Sequence, residues 1–190
     1  MVRGGGGEGE AFWRFSLAFY ARPGVAPALI ALQDRDGRDV NVILYAVWLG
    51  VARGHAMSAA DLAAAESAAA PLRDAVVAGL RGLRRGLRSH PDADVQALRR
   101  RIQALEIAAE RAVQRRLVCS VRAAPHPNPL PAAAGRGRDP RQREGEGPAR
   151  AFPDRLETAF ANLALSLGPA AGSAEAETIR AAVAGFSRRV

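Results

Sequence analysis

Residues 39–54, Asp39-Val40-Asn41-Val42-Ile43-Leu44-Tyr45-Ala46-Val47-Trp48-Leu49-Gly50-Val51-Ala52-Arg53-Gly54, decide the fold. Val40, Ile43, Leu44, Val47, Trp48 and Val51 recur at helical spacing, and the span is nearly all apolar. Its β-branched content suits a strand as well, but the run is long for a buried strand. Asp39 has the side chain of an N-cap, and Gly54 is placed to end the helix. The stretch is therefore read as the central core helix of an all-α protein.

The flanking sequence follows the same period. Residues 10–21 carry Phe12, Phe15 and Phe19 on one stripe and Trp13, Leu17 and Tyr20 on another, so this helix is expected to be buried on more than one side. Arg22-Pro23-Gly24 ends it, and Pro27 suits the first turn of a short helix with Leu29, Ile30 and Leu32. Ser58 and Asp61 read as a capping box for an alanine-rich helix over 59–70, with a kink or new start at Pro71.

From 72 to 88 the stripe Leu72, Val76, Leu80, Leu83, Leu87 is expected to face inward. Arg81, Arg84, Arg85 and Arg88 then form the opposite face. After a break at 89–92, residues 94–120 carry Val95, Leu98, Ile102, Leu105, Ala109 and Ala112 as a heptad-like seam, suited to an antiparallel hairpin with 72–88. Two further helices are expected, over 154–167 and after Ser173. The whole is a compact bundle of about six to seven helices with an arginine-rich hairpin.

Length and composition bound the rest. The chain has 190 residues, with 27 basic and 19 acidic side chains. All the basic residues are arginine, which excludes a phosphate-loop or Schiff-base lysine. A lone cysteine, Cys119, excludes an intramolecular disulfide and a cysteine-based zinc site, and the three histidines lack metal-ligand spacing. Cys119 among its arginines reads as a plain thiol, and His55 is a possible general base without a recognisable nucleophile. No run approaches the roughly 18 apolar residues of a membrane span, and the first residues lack a signal-peptide pattern, so a cytoplasmic protein is expected.

Of the net charge of +8, +6 falls in residues 73–121 and +3 in 122–150. Seven of the ten aromatics lie between Phe12 and Trp48, which places the densest core in the first third, with Phe152, Phe160 and Phe186 returning to it. Residues 122–150 are rich in proline and glycine and have no aromatic. The expected organisation is a disordered tail over 1–9, a helical core over 10–121, a disordered insert over 122–150, and a C-terminal helical pair over 151–190 packing on the core.

Phe12-Trp13-Arg14-Phe15-Ser16-Leu17, then Tyr20, Pro23-Gly24-Val25, Leu32-Gln33-Asp34, Asp39-Val40-Asn41, Leu44-Tyr45 and Trp48-Leu49 stand in order. This string resembles a family of small proteobacterial proteins known only as a domain of unknown function, over about residues 11–120. The resemblance implies a compact helical cytosolic protein with no assigned activity, and it carries over no catalytic residues. Within 122–150, the run from Pro125 to Pro131 and the later Arg143-Glu144-Gly145-Glu146-Gly147 resemble translated bacterial repetitive elements. That likeness implies an insertion into a tolerant surface loop.

Two constellations remain. Asp34, Asp36, Asp39 and Asn41 have the hard oxygen ligands a divalent cation takes, but Gly37 and Arg38 break the EF-hand pattern. A turn plus an N-cap is the reading adopted, with no metal and no cofactor. Asn41 and Tyr45 share one face, with Trp48 next along it, and are read as a satisfied buried network. A small-molecule pocket beside Trp13 and Trp48 is the alternative. The second constellation is Arg81, Arg84, Arg85 and Arg88, with Arg99, Arg100 and Arg101 across the hairpin. Local charge without a catalytic constellation favours a non-enzymatic binding or adaptor module presenting this basic face to an acidic partner. The alternatives are nucleic-acid association, which lacks interleaved aromatics, and a small-molecule or metal-binding enzyme using the Asp34–Asn41 region.

Overall fold

The computed structural model describes residues 5–123 and 152–187. Among them there is no strand, and the protein is all-α. The helices are α1 (Gly5–Tyr20), α2 (Val25–Asp36), α3 (Val40–Trp48), α4 (Ala59–Leu72), α5 (Ala78–Gly86), α6 (Ala93–Ala123), α7 (Phe152–Leu167) and α8 (Ala174–Ser187). Wide π turns extend α3 over Leu49–Arg53 and join α4 to α5 over Arg73–Val77, and a 3₁₀ turn over Gly168–Gly172 links α7 to α8.

The 39–54 stretch is the centre of the bundle. Asp39 caps α3 by accepting from the backbone N–H of Asn41 at 2.8 Å and of Val42 at 3.4 Å. Val42 through Val51 are buried, and α1, α2, α4, α6 and α7 all pack on α3. Gly54 ends the extension in the left-handed region at φ 62°. Gly50 is a point of close approach: a Cβ there would fall 2.3 Å from the Ala159 Cα of α7. Ser58 and Asp61 form the reciprocal capping box at the start of α4.

The aromatic residues make two knots. Phe12 meets Tyr45 edge-on at 5.3 Å and Trp48 at 5.2 Å. Phe186 of α8 stands edge-on to Phe15 and Phe19 at 5.1 and 6.0 Å, which ties the C-terminal pair to α1. Phe160 packs partly buried against the core, whereas the Phe152 side chain lies outside the described residues. So does most of the expected insert, from residue 124 on.

Three expectations need correction. Helix α1 begins at Gly5, so residues 5–9, read as tail, are helical, and Glu8 pairs with Arg53 at 2.6 Å. The stripe of Trp13, Leu17 and Tyr20 is not core: Leu17 is exposed and the other two are half-buried.

The third concerns the hairpin, where Leu72 and Leu80 pack on the core and Ile102 and Ala109 are buried as the spacing predicts, but two of the arginines turn inward and several leucines turn out. Pro71 lies inside α4 and the π turn follows it at once. A π turn takes up an extra residue, and one residue is about 100° of helix rotation. The inward positions therefore move on by one, from Val76 and Leu83 to Val77 and Arg84, and Arg81 turns in beside Leu80, which stays partly buried against the core. Val77 is buried, Arg81 and Arg84 turn toward α6, and Leu83 is left 60% exposed. Helix α6 answers with Ile102, Glu106, Ala109 and Val113 on its buried face, leaving Leu98 and Leu105 51% and 58% exposed.

Candidate functional site: an amphipathic cleft beside an arginine–glutamate cluster

The rotated hairpin builds an ionic cluster between α5 and α6. Arg81 donates through Nε to Glu106 Oε1 at 3.2 Å and through Nη2 to Glu110 Oε1 at 2.8 Å. Arg84 grips Glu106 with two nitrogens, Nε to Oε2 and Nη2 to Oε1, the latter at 3.1 Å. Burial pushes the Glu106 carboxyl up, but the hydrogen bonds from Arg84 and Arg81 outweigh it and hold the group below the ordinary glutamate range. Glu110 goes the other way: burial raises it, and Arg81 offsets only part of the effect.

Removing one partner of such a cluster leaves desolvated charge behind. Glu106→Gln is expected to cost about 2 kcal/mol, read by urea unfolding at neutral pH. The native pKa of Glu106 lies below its unfolded value. Its stabilisation is therefore present above the unfolded pKa and fades as pH falls through the native one. The gap between wild type and Glu106→Gln should shrink as the pH is lowered through and below the ordinary glutamate range, and a pH-independent gap would refute this assignment.

Beside the cluster a cleft of about 480 Å³ opens between α1, α2, α3, α5 and α6, within the range of small-molecule sites. Trp13, Leu17, Ile30, Leu44 and Ile107 form its apolar side. Leu17, Ile30 and Ile107 are exposed large apolar side chains from three different helices, brought to one place. Arg81, Arg84, Arg85, Glu106 and Glu110 form the charged end.

The floor is a polar chain. The Ser16 hydroxyl lies 2.9 Å from the Phe12 carbonyl and 3.2 Å from Gln114 Oε1, and the buried Gln114 donates through Nε2 to Asn41 Oδ1 at 2.9 Å. Gln33, Gln103 and Tyr20 complete the polar lining. Burial first, and then Glu110, raises the Tyr20 hydroxyl above its usual pKa.

The residues singled out from sequence are thus redistributed. Arg81, Arg84 and Arg85 line the cleft instead of an open basic face. Arg88, Arg100 and Arg101 are exposed, while Arg99 is half-buried and donates to the Arg84 carbonyl at 3.3 Å. Asp34, outside the lining, pairs with Arg85 at 3.2 Å. Asp36 pairs with Arg35 at 2.8 Å, and Asp39, besides capping α3, pairs with Arg73 at 3.2 Å. Asn41 joins the polar floor and not the backbone of its own turn. Tyr45 and Trp48 belong to the aromatic core, so Trp13, not Trp48, borders the cleft. Among the described residues no group of three or more His, Cys, Asp or Glu is placed to hold a metal ion. His55 Nε2 stands 3.9 Å from Asp61, away from the cleft lining, and Cys119 is exposed.

Sequence reasoning missed Glu106, Glu110 and Gln114. The one available signal was their i, i+4, i+8 spacing, a polar row on a helix that otherwise packs inward. Among the described residues no single helix is long and apolar enough to cross a membrane.

No curated protein and no solved structure matches the chain. A family described as a protein of unknown function (DUF2390) matches residues 11–117, the segment that contributes every residue of the cleft. By that match over more than half its length, the chain belongs to the DUF2390 family.

Proposed function

We propose that the protein is a binding module whose α1–α2–α5–α6 cleft takes a small amphipathic molecule. The observation that carries the reading is the convergence of exposed Leu17, Ile30 and Ile107 on one cleft that ends in arginines. Exposed apolar side chains from three helices gain by being covered, and an organic molecule of matching size covers them.

A ligand that binds only the native state raises its stability. A thermal-shift screen of the full chain against small amphipathic compounds should yield hits. Ile107→Trp, which fills the cleft from an exposed position, should abolish the shift while leaving the unliganded Tm within about 2 °C. The absence of any hit, or a shift that persists in Ile107→Trp, would refute the reading.

A second reading is favoured by the outer face of the hairpin. Exposed Leu98 and Leu105 flank exposed Arg101 on α6, and Leu83 of α5, the helix paired with it, is exposed as well. Apolar area with basic flanks suits an amphipathic partner helix with acidic edges. Under this reading Leu98→Glu abolishes co-purification of an acidic protein that survives nuclease treatment, whereas recovery only with nucleic acid would overturn it.

A further inference from the structure

We infer that the cleft is built for an organic monocarboxylate, with the carboxylate on Arg85 and the hydrocarbon against Leu17, Ile30 and Ile107. This rests on the reading of the cleft as the binding site and goes on to name the chemistry of the ligand.

The charge at the cleft's end is unevenly committed. Three arginines and two glutamates line it, which leaves a formal +1. Arg81 and Arg84 are taken up by Glu106 and Glu110, with each guanidinium using two nitrogens on carboxylate oxygens. Arg85 is held differently. Among the described residues its only hydrogen-bond partner is Asp34, reached through Nη2 alone at 3.2 Å to both oxygens. The two side chains are 52% and 46% exposed. An ion pair that open to water contributes little, so a competing carboxylate displaces Asp34 at small cost.

The planar fork of Arg85 matches a carboxylate in two-point contact. A dianion fits worse. Its second charge would find no uncommitted arginine, and it would face the carboxylates of Glu106 and Glu110 across a desolvated space. An ammonium group fits worse still, since it would meet Arg85 while both glutamates are already engaged. The body of the ligand is hydrocarbon, because apart from Arg85 the large exposed side chains of the lining are Leu17, Ile30 and Ile107, with Gln103 the one exposed uncharged polar residue among them, and apolar surface is covered with gain only by apolar surface.

The test is a titration of the full chain with three homologous series from C4 to C8: linear carboxylates, 1-alcohols and 1-alkylamines. Calorimetry and the shift in Tm serve as readouts. Carboxylates should bind at least tenfold tighter than alcohols of equal length, and affinity should rise roughly fourfold per methylene until the cleft is filled. Arg85→Gln should weaken the carboxylates at least tenfold and leave the alcohols unchanged. Asp34→Asn should tighten the carboxylates several-fold, because it removes the competitor for Arg85, and a merely structural Asp34–Arg85 pair would not produce that gain.

Equal binding of alcohols and carboxylates, or an Asp34→Asn variant with unchanged carboxylate affinity, overturns the ligand class and leaves the cleft reading standing. Failure of all three series to bind, or binding that Ile107→Trp does not affect, overturns the cleft reading and the class with it.

Discussion

Gly50→Ala is expected to lower stability by at least about 3 kcal/mol, roughly 6–12 °C in Tm for a chain of this size. A Cβ at Gly50 would stand 2.3 Å from Ala159 Cα, 2.5 Å from Ala159 N and 2.7 Å from Ala159 Cβ. Two of those atoms are backbone, so no side-chain rotamer relieves the overlap. The helices must part, and parting them opens the interface of the α3 extension with α7, where Gly50, Ala159 and Leu163 are buried. The usual small benefit of alanine over glycine in a helix is far too weak to compensate. Ala159→Gly should restore part of the loss in the double variant, because it removes one of the three overlaps. Thermal and urea unfolding of the four proteins closes the cycle. A Gly50→Ala protein within 1 kcal/mol of wild type would show that the close approach is not as drawn.

Asn162→Leu should cost about 3 kcal/mol although it keeps the branched four-atom skeleton of the side chain. Asn162 is buried in α7 and serves three backbone groups across the molecule. Its Nδ2 donates to the carbonyls of Ala46 at 3.1 Å and His55 at 2.8 Å, and its Oδ1 accepts from the Met57 N–H at 2.8 Å. These bonds hold the loop between the α3 extension and α4, which has no regular structure of its own to pair its backbone. Leucine leaves the buried Met57 N–H without this acceptor. Amide exchange should separate the two costs, with the Met57 N–H losing protection far more than the interior of α7. If Asn162→Leu is nearly neutral while Asn162→Ala is costly, volume and not hydrogen bonding is what this position supplies.

The two residues illustrate what could and could not be read in advance. Asp39, Gly54 and the Ser58–Asp61 box were legible because capping is local: each acts within a few residues of itself. Helix α3 was legible because caps and periodicity agreed. Asn162 was not, since its partners lie more than a hundred residues away and are backbone groups, which leave no pattern in side-chain identity. The cleft was only half legible. Arg81, Arg84 and Arg85 stood out as charge, but their direction was inferred from a constant helical period. The π turn at Arg73–Val77 breaks that period, and nothing but Pro71 hints at it. Glu106, one charge on a highly charged helix, did not stand out beside them. Local chemistry was read well; relative rotation of two elements was not.

That π turn also gives the hairpin one residue of slack at the junction of α4 and α5. Ala75 and Val76 are exposed, so a polar residue at either should pass almost unnoticed. Loss of one residue there would let 73–77 close into regular α-helix and leave α5 in its present phase, with Arg81 and Arg84 still on Glu106. Homologous chains that keep the ionic cluster should therefore vary freely in composition over 73–77 and tolerate one residue fewer between Leu72 and Arg81, whereas a second deletion, with no slack left to absorb it, would turn α5 by about 100° and break the cluster.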